Sequence, residues 1–314
     1  MEFLRDHPCS VCATKTKLAC PGCRSAGLEI LFCGAQHQKL ARLDSFIRCL
    51  AFARGSFGSH FAQVWPLHKQ VCGARAKPFQ PPPLSADEST EIATLVGLNI
   101  KVPRTGKPLG KDVENAFVGT SGPVQDGTLQ LLQTPQHEHQ LRPEHTLASI
   151  LTTLRADAYS AKLKLNKKTE PASMPEWWIV ATLELAACKL LPPLPTPDGA
   201  RAQDDTRLDR FRHQALVFAT LLRRRYLSRL PGAALSSSAA VPDAYILRAL
   251  ETTLDALNGV ADFTGADSAE SVGRLMDVVS DTLGSAVSVE FEVAGLMAPP
   301  LDAIRVRAQN AKWK

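Results

Sequence analysis

With 314 residues, 45% of them hydrophobic and 21% charged, the chain has material for one or two globular domains. Its net charge of +5 is uneven: residues 1–77 hold eleven Lys/Arg against four Asp/Glu, and residues 78–314 hold twenty-five against twenty-seven. Neither part carries the aromatic-interleaved basic stripe of a nucleic-acid binder, which argues against direct DNA or RNA binding. The opening Met1–Ser10 has no apolar core of a secretory signal, and no apolar run reaches the roughly eighteen residues of a membrane span.

The first element in chain order is rich in metal-ligand spacings. It reads Cys9-x2-Cys12, Cys20-x2-Cys23, Phe32-Cys33-x3-His37-Gln38 and Trp65-x2-His68-Lys69-x2-Cys72, and six of the eight cysteines fall in this pattern. Two Cys separated by two residues aim both sulfurs at a common point. Zinc takes four such donors tetrahedrally, with Zn–S about 2.3 Å and Zn–N about 2.0–2.1 Å. Eight donors in four pairs imply two zinc ions. Thiols serving as ligands must stay reduced, so the expected location is nucleus or cytoplasm.

These residues resemble the MYND-type zinc finger, whose pattern is Cys-x2-Cys, Cys-x2-Cys, an aromatic-Cys-x3-Cys-Gln step and Trp-x2-His-Lys followed by Cys. His37 stands where that family has its sixth Cys, and imidazole is an equally ordinary donor. The resemblance implies interleaved sites: Cys9, Cys12, Cys33 and His37 on a first zinc, and Cys20, Cys23, His68 and Cys72 on a second. It also implies a groove for short proline-rich peptides lined by Gln38 and Trp65, and hence a protein–protein interaction adaptor, with transcriptional regulation as one setting. A Trp65 that only packs the finger's helix is the competing reading. Such a module is expected to have little apolar core of its own and to be fixed by its ions.

A second departure is longer. Twenty-seven residues separate His37 from Trp65 where the family needs only a few, and removing Ala41–Gln63 restores the family spacing. Two readings stay open for this 41–63 insertion. One is translated intron sequence carried in frame. The other is a helical insertion, because Leu43, Phe46, Ile47 and Leu50 follow helical spacing. Cys49 within it reads as a spare thiol, and His7 and His60 as ordinary polar residues.

The finger with its insertion is expected to occupy residues 1–77. Residues 78–84, with Pro81-Pro82-Pro83, read as an extended proline-rich linker. Residues 85–314 then read as an α-helical domain of unknown function. Ser85 is placed to cap a helix with Asp87 and Glu88 in its first turn and Ile92, Leu95 and Val96 on one face. A turn-rich stretch over 102–127 holds a short helix near Val113–Phe117. Further helices follow on Leu147, Ile150, Leu151 and Leu154, and, started by Ser173 and Pro175, on Ile179, Leu183, Ala186 and Leu190. A long one carries Leu208, Phe211, Ala215, Phe218, Leu222 and Tyr226, and the next runs over about 242–257 with Ile246 and Leu250 inward. Val272 to Leu283 marks one more. Val287 to Val293 alternates as a strand does, although a helix fits equally well.

Little points to catalysis. The methyltransferase partner domain of some MYND proteins needs an Asn-His-x-Cys step and a Gly-Glu-Glu step, and neither occurs. His137-Glu138-His139 reads as a solvated loop, Arg223-Arg224-Arg225 as a solvated face, Cys188 as a core thiol and Trp177-Trp178 as core anchors. An enzyme with its site in 85–314 and the finger as accessory is the alternative. Pro81–Leu84 and Pro192–Pro195 also offer segments that a peptide groove could take in cis.

Overall fold

A computed structural model describes residues 7–11, 15–16, 18–32, 60–102, 105–117, 126–134, 140–143, 145–165, 175–188 and 206–227, with single residues and short pieces of 241–256. The described residues are mainly helical. The only strands among them are the two-residue antiparallel pair β1 (His7–Pro8) and β2 (Lys15–Thr16), in the register His7 to Thr16 and Pro8 to Lys15. No described helix is long and apolar enough to cross a membrane. The expected elements over 272–283 and 287–293, and the His137-Glu138-His139 step, lie outside the described residues.

The chain divides into two compact units that do not follow chain order: Met1–Phe79 with Pro193–Gly265, and Gln80–Pro192 with Ala266–Lys314. The segment expected to form an independent finger over 1–77 thus shares its unit with a much later part of the chain.

In the first unit, α1 (Pro21–Ser25) is a single turn with Pro21 at its start, where a missing N–H costs nothing. It sits inside a tight loop closed by Cys20 N donating to Ile30 O and Phe32 N donating to Leu18 O. Helix α2 (His60–His68) follows, and a short 3-10 turn over Gly73–Arg75 closes the segment. The long helix α8 (Thr206–Leu227) packs against α2. Leu208, Phe211, Ala215, Phe218 and Leu222 are buried, as their spacing requires, and so are Leu28, Ile30, Phe32, Val64, Val71 and Phe79 of the unit's N-terminal part. The N-terminal segment is therefore not core-poor: its apolar side chains are buried in the same unit as α8, which packs on α2.

The second unit is built on α6 (Leu147–Leu165) and α7 (Glu176–Cys188), which lie along each other. Leu151, Leu154, Ala158 and Tyr159 of α6 and Trp177, Trp178, Ile179 and Leu183 of α7 are buried. The Trp pair is thus the anchor its sequence suggested, with Lys162 Nζ 5.6 Å from the Trp178 ring centre. Cys188 departs from expectation, because the helix end leaves it half-buried.

Helices α3 (Ala86–Gly97), α4 (Lys111–Ala116) and α5 (Asp126–Leu131) complete the described part of this unit; α3 packs on α5 and α6, and α4 on α6. Helix α3 starts with a capping box: Ser85 Oγ accepts from Glu88 N at 3.1 Å, and Glu88 Oε2 accepts from Ser85 N at 3.0 Å. Ser85→Ala is expected to cost about 0.5–2 kcal/mol, read as a lower denaturant midpoint at unchanged slope.

The proline-rich stretch is no free tether. Pro82 and Leu84 are buried, Leu84 N donates to Leu132 O, and the Arg155 guanidinium donates to Pro82 O at 2.9 Å and Pro83 O at 3.2 Å. The same guanidinium forms a two-armed pair with Glu88, at 2.8 Å to Oε1 and 2.9 Å to Oε2. Pro81–Leu84 is committed to this packing, which removes it as a ready ligand for a peptide groove. Pro192–Pro195 lies outside the described residues.

Candidate metal centre

Four of the eight expected ligands converge. The donor atoms of Cys20, Cys23, His68 and Cys72 all lie within 4.8 Å of one another. Cys20 Sγ is 3.3 Å from Cys72 Sγ and 3.3 Å from His68 Nε2, and Cys23 Sγ is 3.5 Å from His68 Nε2. Donors on one tetrahedral zinc stand about 3.6–3.8 Å apart, given its bond lengths. The quoted distances are at or a few tenths of an ångström below these values, the whole set lies within 4.8 Å, and it has the softness and number of donors that zinc takes.

Each donor is placed by a separate local device. Cys20 is the residue before α1 and Cys23 lies within it, so one turn carries both sulfurs to the same side. His68 closes α2 and is buried at 2% exposure. Cys72 leads into the 3-10 turn, followed by Gly73 at φ 73°, a left-handed conformation that glycine takes without strain. Gly22 was not singled out from sequence, yet the site needs it. A Cβ there would stand 2.6 Å from Cys72 Sγ and 3.0 Å from Gly73 N, so only glycine lets the fourth donor approach.

The electrostatics suit a cation held among these donors. Hydrogen bonds from Cys23 and Cys72 hold the Cys20 thiol far below the ordinary thiol range. Cys23 is pushed far above it by its hydrogen bonds to Cys20 and Cys72 and by burial. Burial works to lower the pKa of His68, but hydrogen bonding to Cys20 and Cys72 and their charge outweigh it, so that it is raised to about 9. The donors thus compete for protons that one divalent ion would replace, leaving four protein ligands and no open coordination position, as in structural sites.

Around the donors, the Phe32, Trp65 and His213 rings pack against His68, with centroids 6.0, 6.0 and 5.5 Å away. His213 lies on α8 and is buried at 1% exposure; burial and the neighbouring His68 lower its pKa to about 3, so its imidazole is neutral. Nothing in the local sequence singles out His213, because it becomes a neighbour only through a contact spanning 145 positions.

Because metal must displace the His68 proton, zinc affinity is expected to climb as pH rises from about 6 toward about 9. The metal-free fold runs the other way. Its imidazolium pKa lies above the unfolded value near 6.5, so that stabilising contribution is complete below about 6.5 and disappears as pH rises through about 9. Chelator competition and apo-protein melts over this range check the two opposite slopes.

Of the first expected site, only Cys9 is described, and it is buried; Cys12, Cys33 and His37 lie outside the described residues, as does Gln38. The described structure therefore supports one candidate metal site. Trp65 is half-buried on α2. Residues 41–59 lie outside the described residues, whereas 60–63 form the first turn of α2, and Arg224 Nη1 donates to Gln63 O at 3.5 Å. The end of the odd block at Gln63 therefore marks no structural boundary. Arg223, Arg224 and Arg225 are all half-buried rather than a solvated face, and burial lowers the pKa of Arg224.

Comparison of the chain with protein-family models, curated proteins and solved structures finds no match. The reading of the site rests on its own residues and their geometry.

Proposed function

We propose that the protein is a two-zinc, MYND-type finger protein that acts as a protein–protein interaction adaptor for proline-rich segments, in nucleus or cytoplasm. The observation that carries the metal reading is the meeting of Cys20, Cys23, His68 and Cys72, drawn from 53 consecutive positions into one shell of ligand spacing. The order of donors along the chain supports the finger type, and Cys9, Cys12, Cys33 and His37 are the ligand set of its first zinc. The adaptor role rests on Trp65, one turn before His68 on the metal-bearing helix, with Gln38 as its companion. An extended proline peptide loses little entropy on docking, and an indole offers flat apolar area to receive it.

Metal analysis of the full chain, purified without chelator, tests this directly. Two zinc ions per chain are expected, falling to one in Cys72→Ser. A metal-free wild type sinks the proposal. Titration with a proline-rich peptide tests the role: Trp65→Ala should abolish binding with the zinc content unchanged.

A further inference from the structure

Four hydrogen bonds join side chains of α8 to backbone groups of residues 10–79, and they fall close to the metal ligands. Gln214 Nε2 donates to Ser10 O at 2.7 Å, beside Cys9. His213 Nε2 donates to Ala76 O at 3.4 Å, four residues after Cys72. Asp209 Oδ1 accepts from Phe79 N at 3.1 Å, and Arg224 reaches Gln63 O, five residues before His68. The His213 ring fills the space between His68 and Phe79, whose ring meets it edge-on at 5.2 Å.

Asp209, His213 and Gln214 are all buried. If the finger backbone opened, their polar atoms would lose buried partners and the apolar face of α8 would lose its cover, both of which are unfavourable. The ion fixes the path of that backbone, since Cys20, Cys23, His68 and Cys72 come from segments otherwise far apart in the chain.

From this we infer that metal binding and the docking of helix α8 are one cooperative event: the ion builds the surface that receives residues 206–227, and the helix in turn tightens the grip on the ion. Metal loss releases the helix, so this segment reports metal occupancy to the rest of the chain. Linkage makes the effect reciprocal, and couplings of this kind typically change affinity by about 5–150-fold.

The inference rests on the metal reading above, and one experiment separates their failures. Zinc content of the full chain is measured first, then backbone hydrogen exchange with and without a zinc chelator, following peptides from 206–227 and, as internal reference, 147–165. Chelation should lower protection in 206–227 at least tenfold and leave 147–165 unchanged. In the same chain Gln214→Ala should weaken zinc binding at least fivefold in chelator competition. A chain that holds no zinc overturns the metal reading and this inference with it. A chain that holds zinc but keeps the protection of 206–227 after its removal overturns the inference alone, whether or not Gln214→Ala folds.

Discussion

Replacing Cys23 by serine, or stripping metal with a strong chelator, is expected to remove much of the stability of the first unit while leaving that of the second unchanged. Structural zinc in small fingers contributes roughly 10–16 kcal/mol of apparent binding free energy at neutral pH. That is as large as the whole stability of an ordinary domain, about 5–15 kcal/mol. Without the ion, Cys20, Cys23 and Cys72 cannot all carry charge within a few ångströms of one another, and His68 must hold a proton. Cobalt substitution gives the readout. The wild type should show the intense d–d bands of tetrahedral thiolate sites, and Cys23→Ser should lose the share that comes from Cys20, Cys23, His68 and Cys72. Gly22→Ala is the subtler probe: its methyl would strike the Cys72 sulfur, so the bands should weaken although every ligand is retained. Unchanged bands in Cys23→Ser would show that this residue holds no metal.

Arg155→Ala is expected to be the most damaging single change in the second unit, costing about 3–5 kcal/mol. The side chain is 1% exposed, and its guanidinium satisfies the Glu88 carboxylate and the carbonyls of Pro82 and Pro83 together. Its removal strands a buried carboxylate and two carbonyls, which is far worse than never having built the pair. Glu88 also closes the capping box of α3, so the loss spreads to that helix start. At about 2–4 °C per kcal/mol for a unit of this size, the melting temperature of the second unit should fall by about 6–20 °C. The double variant Arg155→Met/Glu88→Gln, which removes both charges, should recover a good part of the loss. A thermal melt of Arg155→Ala within a degree or two of wild type would refute the clamp.

The sequence revealed whatever is local. Cys20, Cys23, His68 and Cys72 were legible because ligand spacing is a short-range code, and Ser85 because a cap lies within one turn of the helix it starts. The inward faces of α6, α7 and α8 followed from their period of about 3.6 residues. Periodicity states that Phe211 and Phe218 are buried without saying against what. That is why the α8–finger interior was missed and the finger was expected to stand alone with little core. The prolines at 81–83 misled for a related reason: an extended backbone looks like a linker until a distant Arg155 takes up its carbonyls. The run at 223–225 reads as surface by charge alone, although its position on a packed helix leaves all three arginines half-buried.

The discontinuous makeup of the first unit has a bearing on how the protein is made. A ribosome adds about 5–20 residues per second, so roughly 8–30 s pass between the emergence of Cys72 and that of Leu227. Through that interval the nascent thiols are available to metal, oxidants or chaperones before the helix that covers them has been synthesised. Zinc captured early would keep the sulfurs from wrong disulfides while residues 80–205 are being made. Expression in zinc-poor medium should therefore harm yield of soluble chain more than removing zinc from the finished protein.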